Sequence, residues 1–175
     1  YPPSLTPTMS SGAKVTINSQ ISFMSNETIQ PGSVTYDTSS ACTFDTPSVE
    51  DKTIYAALQH CDAQGAFILT VHASDLAGNA ASATVTYKYD TVGPTLTAVL
   101  ETNTLVKPNT ALPFTAMEPI QSAPTYAATG CTFSTPTVTG QTITALVEDC
   151  PEGSFSLTVT AKDMLGNSGS CTETY

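Results

Sequence analysis

The chain repeats itself, and this repetition limits its possible fold more than any other feature of the sequence. "CTFDTPSV" from Cys42 returns as "CTFSTPTV" from Cys131, and "FILTVHASDLAGN" from Phe67 returns as "FSLTVTAKDMLGN" from Phe155. The distance between matching segments stays between 88 and 91 positions across the whole 175-residue chain. Since a fixed period indicates repeated structural units, the sequence predicts two similar domains, residues 1–90 and 91–175, joined near Asp90.

Alternating apolar residues predict that each domain is made of short β-strands. Phe67, Leu69, Val71 and Ala73 stand at every second position, as expected for a strand with one buried face. The abundance of Thr, Val and Tyr, together with 12 Pro and 10 Gly, favours strands joined by tight turns. About seven such strands fit into each repeat of about 90 residues. We therefore expect an all-β fold of two tandem immunoglobulin-like β-sandwich domains, each with about seven strands.

The repeated Asp-x-x-Gly-Asn motif predicts a hairpin tip. It follows an alternating strand in both repeats, at Asp75 and at Asp163, and a second alternating run follows the first copy. An Asp side chain can cap a tight turn, while Gly and Asn tolerate positive φ. The motif is interpreted first as the turn between the last two strands of each domain.

Cysteine spacing predicts one disulfide bond in each domain. Cys42 and Cys61 lie 19 positions apart, and so do Cys131 and Cys150. The midpoint of the second pair is Gly140-Gln141, which suits a two-residue hairpin turn and places the two cysteines opposite each other. Opposed residues on antiparallel strands lie within disulfide reach. Such bonds indicate an oxidising compartment: the extracellular space, the cell surface or the periplasm.

The fifth cysteine and the two histidines fit no recognised site. Cys171 corresponds to Ala83 in the first repeat, so it is either a small buried thiol or a partner for a cysteine outside this chain. His60 and His72 are isolated, and no CxxC or paired-His pattern of a zinc site is present. The nucleophile, zinc-protease and phosphate-loop motifs of common enzymes are also missing, so we expect no catalytic activity.

Charge excludes two further classes of partner. The formal net charge is −10, and the five basic residues are all Lys. Binding to nucleic acid needs clustered cationic side chains, and docking on anionic lipid needs a basic surface. No run of about 20 apolar residues could insert into a membrane. We therefore expect neither nucleic acid nor membrane insertion.

The order of the motifs resembles the bacterial Ig-like (Big) repeats. "PTLT" from Pro94, "FTAMEPI" from Phe114 and "AKDMLGNSGS" from Ala161 follow one another as in that family, and the "YDTVGPTLT" junction is also similar. The resemblance covers both repeats. It departs at Met164-Leu165, where the family has Ala before the Gly, and the paired cysteines occur in only part of the family.

The resemblance implies a structural or adhesive role in a larger bacterial surface or secreted protein. The module would act as a disulfide-stapled spacer or stalk whose partners are neighbouring Ig-like repeats of the parent protein. The alternative is a specific binding module for a host or prey surface glycan or protein. The ligand is not identified by the sequence.

A calcium site is the alternative to a domain without cofactor or metal. Some Ig-like repeats hold calcium at domain junctions, and here Asp90, Glu118 and Asp163 could converge on one ion. Ca²⁺ takes six to eight oxygen ligands, mostly carboxylate and carbonyl. In the competing interpretation, Asp163 caps its turn, Glu118 is solvated and Asp90 begins the linker.

Tyrosines are the candidates for a sugar-binding platform, because the chain has no Trp. Tyr36 matches Tyr126 between the repeats and Tyr87 matches Tyr175, which favours core positions for these four. Tyr55 and Tyr89 have no counterparts, so they are the predicted surface candidates.

Overall fold

The computed structural model describes residues 1–175 and is all-β. The chain divides into two compact units, Tyr1–Thr91 and Val92–Tyr175, and each is an immunoglobulin-like β-sandwich. No helix in the structure has the length and apolar character needed to cross a bilayer.

The first unit packs a five-stranded sheet against a four-stranded sheet. The first sheet has the order β1-β3-β7-β5, with β6 also paired to β7, and the second has the order β2-β9-β8-β4. The strands are β1 (Leu5–Pro7), β2 (Lys14–Val15), β3 (Gln20–Ser25), β4 (Thr35–Thr38), β5 (Cys42–Phe44), β6 (Ser48–Glu50), β7 (Thr53–Cys61), β8 (Gly65–Ser74) and β9 (Ala80–Tyr89).

The second unit follows the same plan with one strand fewer. A five-stranded sheet has the order β10-β11-β15-β13, with β14 also paired to β15, and a three-stranded sheet has the order β12-β16-β17. The strands are β10 (Leu96–Ala98), β11 (Ala111–Ala116), β12 (Thr125–Ala127), β13 (Thr132–Phe133), β14 (Thr137–Thr139), β15 (Thr142–Asp149), β16 (Ser156–Lys162) and β17 (Ser168–Thr174).

Interrupted strands explain why these counts exceed the expected seven. β5 and β6 are two pieces of one strand along β7, and β13 and β14 are two pieces of one strand along β15. Similarly, β1 and β2 are two pieces of one edge strand. Its first piece, β1, pairs in the first sheet, and its second piece, β2, pairs in the second sheet. Counting each interrupted strand once gives seven strands in both units, in agreement with the sequence-based expectation.

One strand boundary differs from the sequence-based expectation. Alternation in the sequence suggests a continuous strand over residues 15–23. The structure instead ends β2 at Val15 and begins β3 at Gln20. Between them the chain turns at Asn18, whose φ is 66°. This turn separates the piece that joins the second sheet from the strand that joins the first.

The alternating residues of the sequence form the core between the two sheets. Phe67, Leu69, Val71 and Ala73 on β8 are at most 2% exposed. They pack with buried side chains of the facing sheet, including Phe23 on β3 and Leu58 on β7. In the second unit, Leu157, Val159 and Ala161 on β16 are buried in the same way. Burial of a full aliphatic or aromatic side chain contributes about 1.5–3 kcal/mol, so each alternating strand is a major part of its unit's stability.

Candidate functional site

A buried carboxylate organises the tip of the last hairpin in each unit. In the first unit, Oδ1 of Asp75 accepts hydrogen bonds from the backbone N–H groups of Ala77 at 2.8 Å and Asn79 at 2.9 Å. Oδ2 accepts a third bond at 2.8 Å from Nδ2 of Asn79. The backbone N–H of Gly78 donates to the Asp75 carbonyl. One side chain therefore satisfies most of the polar groups of its own turn.

The second unit repeats this turn contact for contact. Asp163 Oδ1 accepts from the N–H groups of Leu165 and Asn167 at 2.8 and 2.9 Å, and Oδ2 accepts from Nδ2 of Asn167 at 2.8 Å. Asp163 is 2% exposed and Asp75 is 5% exposed. The sequence therefore identified the motif as a turn, and the structure shows that its acid is buried and already engaged.

The two other motif residues have different roles from each other. Gly78 and Gly166 adopt positive φ, at 85° and 93°. Asn also tolerates positive φ, but neither Asn79 nor Asn167 adopts it here. Asn serves instead as a side-chain donor that holds the Asp carboxylate in place.

Hydrogen bonding keeps the Asp75 carboxylate ionised. The hydrogen bond from the Asn79 side chain holds the pKa of Asp75 below its usual range. Desolvation opposes this shift in part, and the backbone N–H groups of Asn79 and Ala77 add to it. A carboxylate that accepts several N–H bonds is favoured in its charged form. The turn of the first unit is therefore most stable when Asp75 is ionised.

Each unit contains one disulfide bond, at the same place in the fold. Cys42 bonds to Cys61 with a Cα–Cα distance of 4.0 Å, and Cys131 bonds to Cys150 with a Cα–Cα distance of 4.3 Å. These distances are close to those of opposed residues at non-hydrogen-bonded antiparallel positions. Each bond joins the two strands of the hairpin at its open end, far along the sequence from the two-residue turn.

The register that brings the cysteines together is not that of a regular hairpin. Next to the turn, Glu50 pairs with Thr53 and Ser48 with Tyr55. Farther along, the pairing of Phe44 with Leu58 is shifted by one residue, and a bulge restores the original register at the Cys42–Cys61 pair. The second unit has the same shift and the same bulge. Two compensating irregularities thus give the opposed pairing that the midpoint of the sequence suggests.

The remaining cysteine and the histidines take no part in these bonds. Cys171 is a free thiol on β17, partly buried against the core of the second unit and opposite Val159. His60 pairs with Asp62 at 2.8 Å, and His72 pairs with Asp37 at 3.0 Å.

The three acids of the calcium hypothesis belong to different units. Within the second unit, a carboxylate oxygen of Glu118 lies within 4.8 Å of one of Asp163. Asp90 belongs to the first unit, where its carboxylate forms an ion pair with Lys14 at 2.7 Å and its N–H donates to the Val15 carbonyl. The calcium hypothesis remains a prediction, and Asp90 is also a structural residue of the first unit.

Of the two tyrosines expected at the surface, one is partly exposed and the other is buried. Tyr55 is half-buried on β7 and lines a depression of 340 Å³ with polar neighbours that include Gln20 and Asp45. The expectation for Tyr89 is wrong, since it is 7% exposed and belongs to the core. It is covered because β2 pairs in parallel with the end of β9, a contact between distant segments that local alternation does not reveal.

The four matched tyrosines lie in or against the cores. Tyr87 and Tyr175 are buried, and burial raises the pKa of Tyr87 to about 12. Tyr36 and Tyr126 are partly buried, and burial raises the pKa of each hydroxyl. The Tyr126 hydroxyl also donates to the Leu112 carbonyl at 2.8 Å, which ties β12 to the opposite sheet.

Comparison with known proteins yields similar folds and no family. No family model matches the chain, and no curated protein matches it. A solved structure titled "BspA_C_mut" aligns with a TM-score of 0.50 at 9% identity, covering 99% of this chain and 98% of that one. The C-terminal domain of the Streptococcus agalactiae AgI/II polypeptide BspA aligns at 0.48 and 11% identity, covering 99% of each chain. The C-terminal domain of the Streptococcus pyogenes antigen I/II-family protein AspA aligns at 0.47 and 9%, covering 98% of each. At such identities the likeness concerns the fold alone.

We expect non-reducing peptide mapping to recover the Cys42–Cys61 and Cys131–Cys150 pairs. Closing a loop of this size stabilises a domain by about 3 kcal/mol, and each kcal/mol shifts the melting temperature of a domain this small by about 4–8 °C. Reduction should therefore lower the melting temperature by about 12–24 °C. A Cys171→Ser variant should give the same map, and a peptide joining Cys42 to Cys131 would contradict the assignment.

The hydrogen bonds at the hairpin tip of the second unit predict that neutralising Asp163 lowers the stability of that unit. Asp163→Asn turns an acceptor into an amide that opposes the amide of Asn167, so the second unit should lose about 1–3 kcal/mol in chemical denaturation. Glu50→Gln, at an exposed position, is the matched control and should change nothing measurable. A denaturation curve of Asp163→Asn that coincides with the parent curve would show that these contacts do not support the fold.

The lowered pKa of Asp75 predicts a pH dependence confined to acid. A carboxyl group whose pKa is lower in the folded state stabilises the fold above its unfolded pKa and loses this contribution as the pH falls through the folded pKa. The first unit should thus lose stability below about pH 4. Asp75→Asn should lower the melting temperature at pH 7 and flatten its fall in acid, whereas an unchanged acid profile would refute the assignment.

Proposed function

We propose that this chain is an extracellular structural module, a disulfide-stapled spacer or stalk within a larger bacterial surface or secreted protein. The observation that supports this most is the position of the two disulfides. Each one crosslinks the same hairpin in its unit, and each repeats the same register shift and bulge. Because disulfides persist in oxidising compartments, the location that fits is the extracellular space, the cell surface or the periplasm.

A spacer must keep its length under tension, and the disulfides limit how far each unit can extend. The residues between Cys42 and Cys61 cannot extend under tension while the bond is intact, and the same holds between Cys131 and Cys150. A compact unit with its own core and a closed hairpin keeps its length, so a series of such units can carry another domain away from a surface. The proposed role involves no catalysis, and its partners are neighbouring Ig-like repeats.

A second candidate is a binding module for a surface glycan or protein, favoured by the depression around Tyr55. Sugar sites commonly combine an aromatic face with side chains that hydrogen-bond. Here Tyr55 shares a depression with Asn18, Gln20, Asp45 and Ser48. The depression is shallow, so this candidate comes second.

Single-molecule extension and a glycan array together separate the two roles. For the spacer, full unfolding of a unit should release a contour length that grows by about 6–7 nm on reduction, because 19 residues are freed at up to about 3.6 Å each. The double variant Cys42→Ser with Cys61→Ser should show the longer extension without reductant. Saturable glycan binding that is lost in Tyr55→Ala and kept in His60→Ala would overturn the spacer role in favour of the binding module.

The calcium alternative predicts a different thermal behaviour from a metal-free spacer. We expect the same melting temperature in EDTA and in millimolar Ca²⁺, because a spacer of this kind needs no ion. A rise of several degrees with Ca²⁺ would show binding to the folded state. Glu118→Gln is the informative variant, because Asp163→Ala would also remove the contacts of its turn. A calcium-dependent rise that Glu118→Gln abolishes would establish the site.

A further inference from the structure

The two disulfide bonds differ in how well their first cysteine is covered. Cys42 is 8% exposed and belongs to the core of the first unit. Its counterpart Cys131 is only partly buried, and it lines a depression of 460 Å³ on the second unit. The same bond is therefore covered at its first sulfur in one unit and open to solvent there in the other.

In the first unit, hydrogen bonds hold the loop that leads into Cys42. The hydroxyl of Thr38, the last residue of β4, donates to the Ser40 carbonyl at 2.6 Å and also lies 3.2 Å from the Cys42 carbonyl. The N–H of Ser39 donates to the Ile68 carbonyl at 3.0 Å, and the Ser39 hydroxyl accepts from the Ile68 N–H at 2.8 Å. The loop is thus fixed both to β8 and to the cysteine itself.

The corresponding loop of the second unit is shorter and has lost one of these hydroxyl groups. Residues 127–130 take the place of residues 37–41, so the loop has one residue fewer. The pairing with β8 and with β16 puts Ala128 where the first unit has Thr38. A methyl group therefore stands where the first unit has the hydroxyl that holds the loop.

The backbone next to Cys131 is also held less firmly. The N–H of Cys131 donates to the Ala128 carbonyl at 3.4 Å, whereas the N–H of Cys42 donates to the Ser40 carbonyl at 2.6 Å. The residue before Cys131 is Gly130, with φ of 77°. Weaker bonding of this loop accounts for the greater exposure of Cys131.

The depression beside Cys131 is neutral. Its other lining residues come from β12 with the following loop and from β16: Tyr126, Ala127, Ala128, Thr129, Ser156 and Thr158. None of these side chains carries a charge. Cys150, in contrast, directly follows Glu148 and Asp149, which are both exposed. An approaching anion therefore meets less repulsion at Cys131 than at Cys150.

We propose that the Cys131–Cys150 bond is a thiol-exchange site, which a low-molecular-weight thiol opens while Cys42–Cys61 stays closed. The thiolate enters the depression and attacks Sγ of Cys131, and a mixed disulfide forms between them. The bond to Cys150 breaks, its electron pair stays on Sγ of Cys150, and that sulfur takes up a proton from water. A second thiolate then attacks the small-molecule sulfur, which releases Cys131 and an oxidised small-molecule disulfide. Thiolates attack disulfides in this manner, and exposure decides which sulfur reacts.

The exchange site gives the two units different mechanical states. Once the bond is open, the residues between Cys131 and Cys150 can extend under tension, while those between Cys42 and Cys61 remain closed. This consequence rests on the proposed spacer role, whereas the exchange site itself does not.

The test uses the full chain with Cys171→Ser, which removes the one free thiol. The folded protein is incubated with reduced glutathione, quenched in acid and mapped by mass spectrometry of its peptides. We expect a glutathione adduct on Cys131, with a free thiol at Cys150, to form at least about ten times faster than any adduct on Cys42 or Cys61. Equal rates for the two bonds, or an adduct that forms first on Cys150, would overturn the proposal.

Loop variants show whether the cover of the first cysteine controls the exchange. Replacing residues 127–130 by Asp-Thr-Ser-Ser-Ala, the residues 37–41 of the first unit, should slow the attack on Cys131 severalfold. The reciprocal variant Thr38→Val keeps the side-chain shape but loses the hydroxyl, so it should speed the attack on Cys42. Thr35→Val, at an exposed position of the same strand, is the matched control and should change neither rate. A Thr38→Val rate equal to that of the control would contradict the role of the loop.

Urea below the unfolding transition separates attack on the folded unit from attack after unfolding. The free energy of unfolding falls linearly with urea, so exchange through the unfolded state accelerates steeply as urea is added. Attack through the depression should instead keep a nearly constant rate. A rate at Cys131 that rises in step with the unfolding equilibrium would refute a site on the folded protein.

Discussion

The register of the last hairpin is the constraint on which the rest of each unit depends. Since side chains alternate across a strand, a slip of one residue between β8 and β9 would turn Leu69 and Val71 away from the core. The Asp75 carboxylate fixes that register, because it binds the N–H groups of Ala77 and Asn79 and so allows one turn geometry only. A local network of hydrogen bonds thereby decides which face of the longest hairpin is buried. The second unit solves the same problem with Asp163.

The burial of the Asp163 carboxylate limits its ability to bind a cation. Asp163 is a candidate metal ligand of the calcium hypothesis, because one of its carboxylate oxygens lies within 4.8 Å of one of Glu118. In the structure, both of its oxygens accept hydrogen bonds from its own turn, so the acid has a structural role whether or not an ion is present. Any cation would have to share the carboxylate with those donors. The same residue would then connect the stability of the hairpin to ion binding.

The disulfide-bonded hairpin shows how the two units share one plan. In both units the disulfide bond follows the same bulge, which keeps the cysteines opposed although the pairing of the two strands is irregular. At another edge, the first unit covers its core with Tyr89, which lies between β2 and β8.

The sequence by itself determined the features that depend on neighbouring residues. Alternation gave the buried face of β8, the period gave two similar units, and the Asp-x-x-Gly-Asn motif gave a turn, because each of these is set by the geometry of a short segment. Only the tertiary structure decided the contacts between distant segments. Tyr89 is buried because β2, more than seventy positions earlier, lies beside it. The bulge beside Cys42 and the break between β2 and β3 are likewise tertiary features, and the break occurs where β2 joins the second sheet and β3 joins the first. Such choices depend on which surfaces meet across the sandwich, and no local pattern of residues records them.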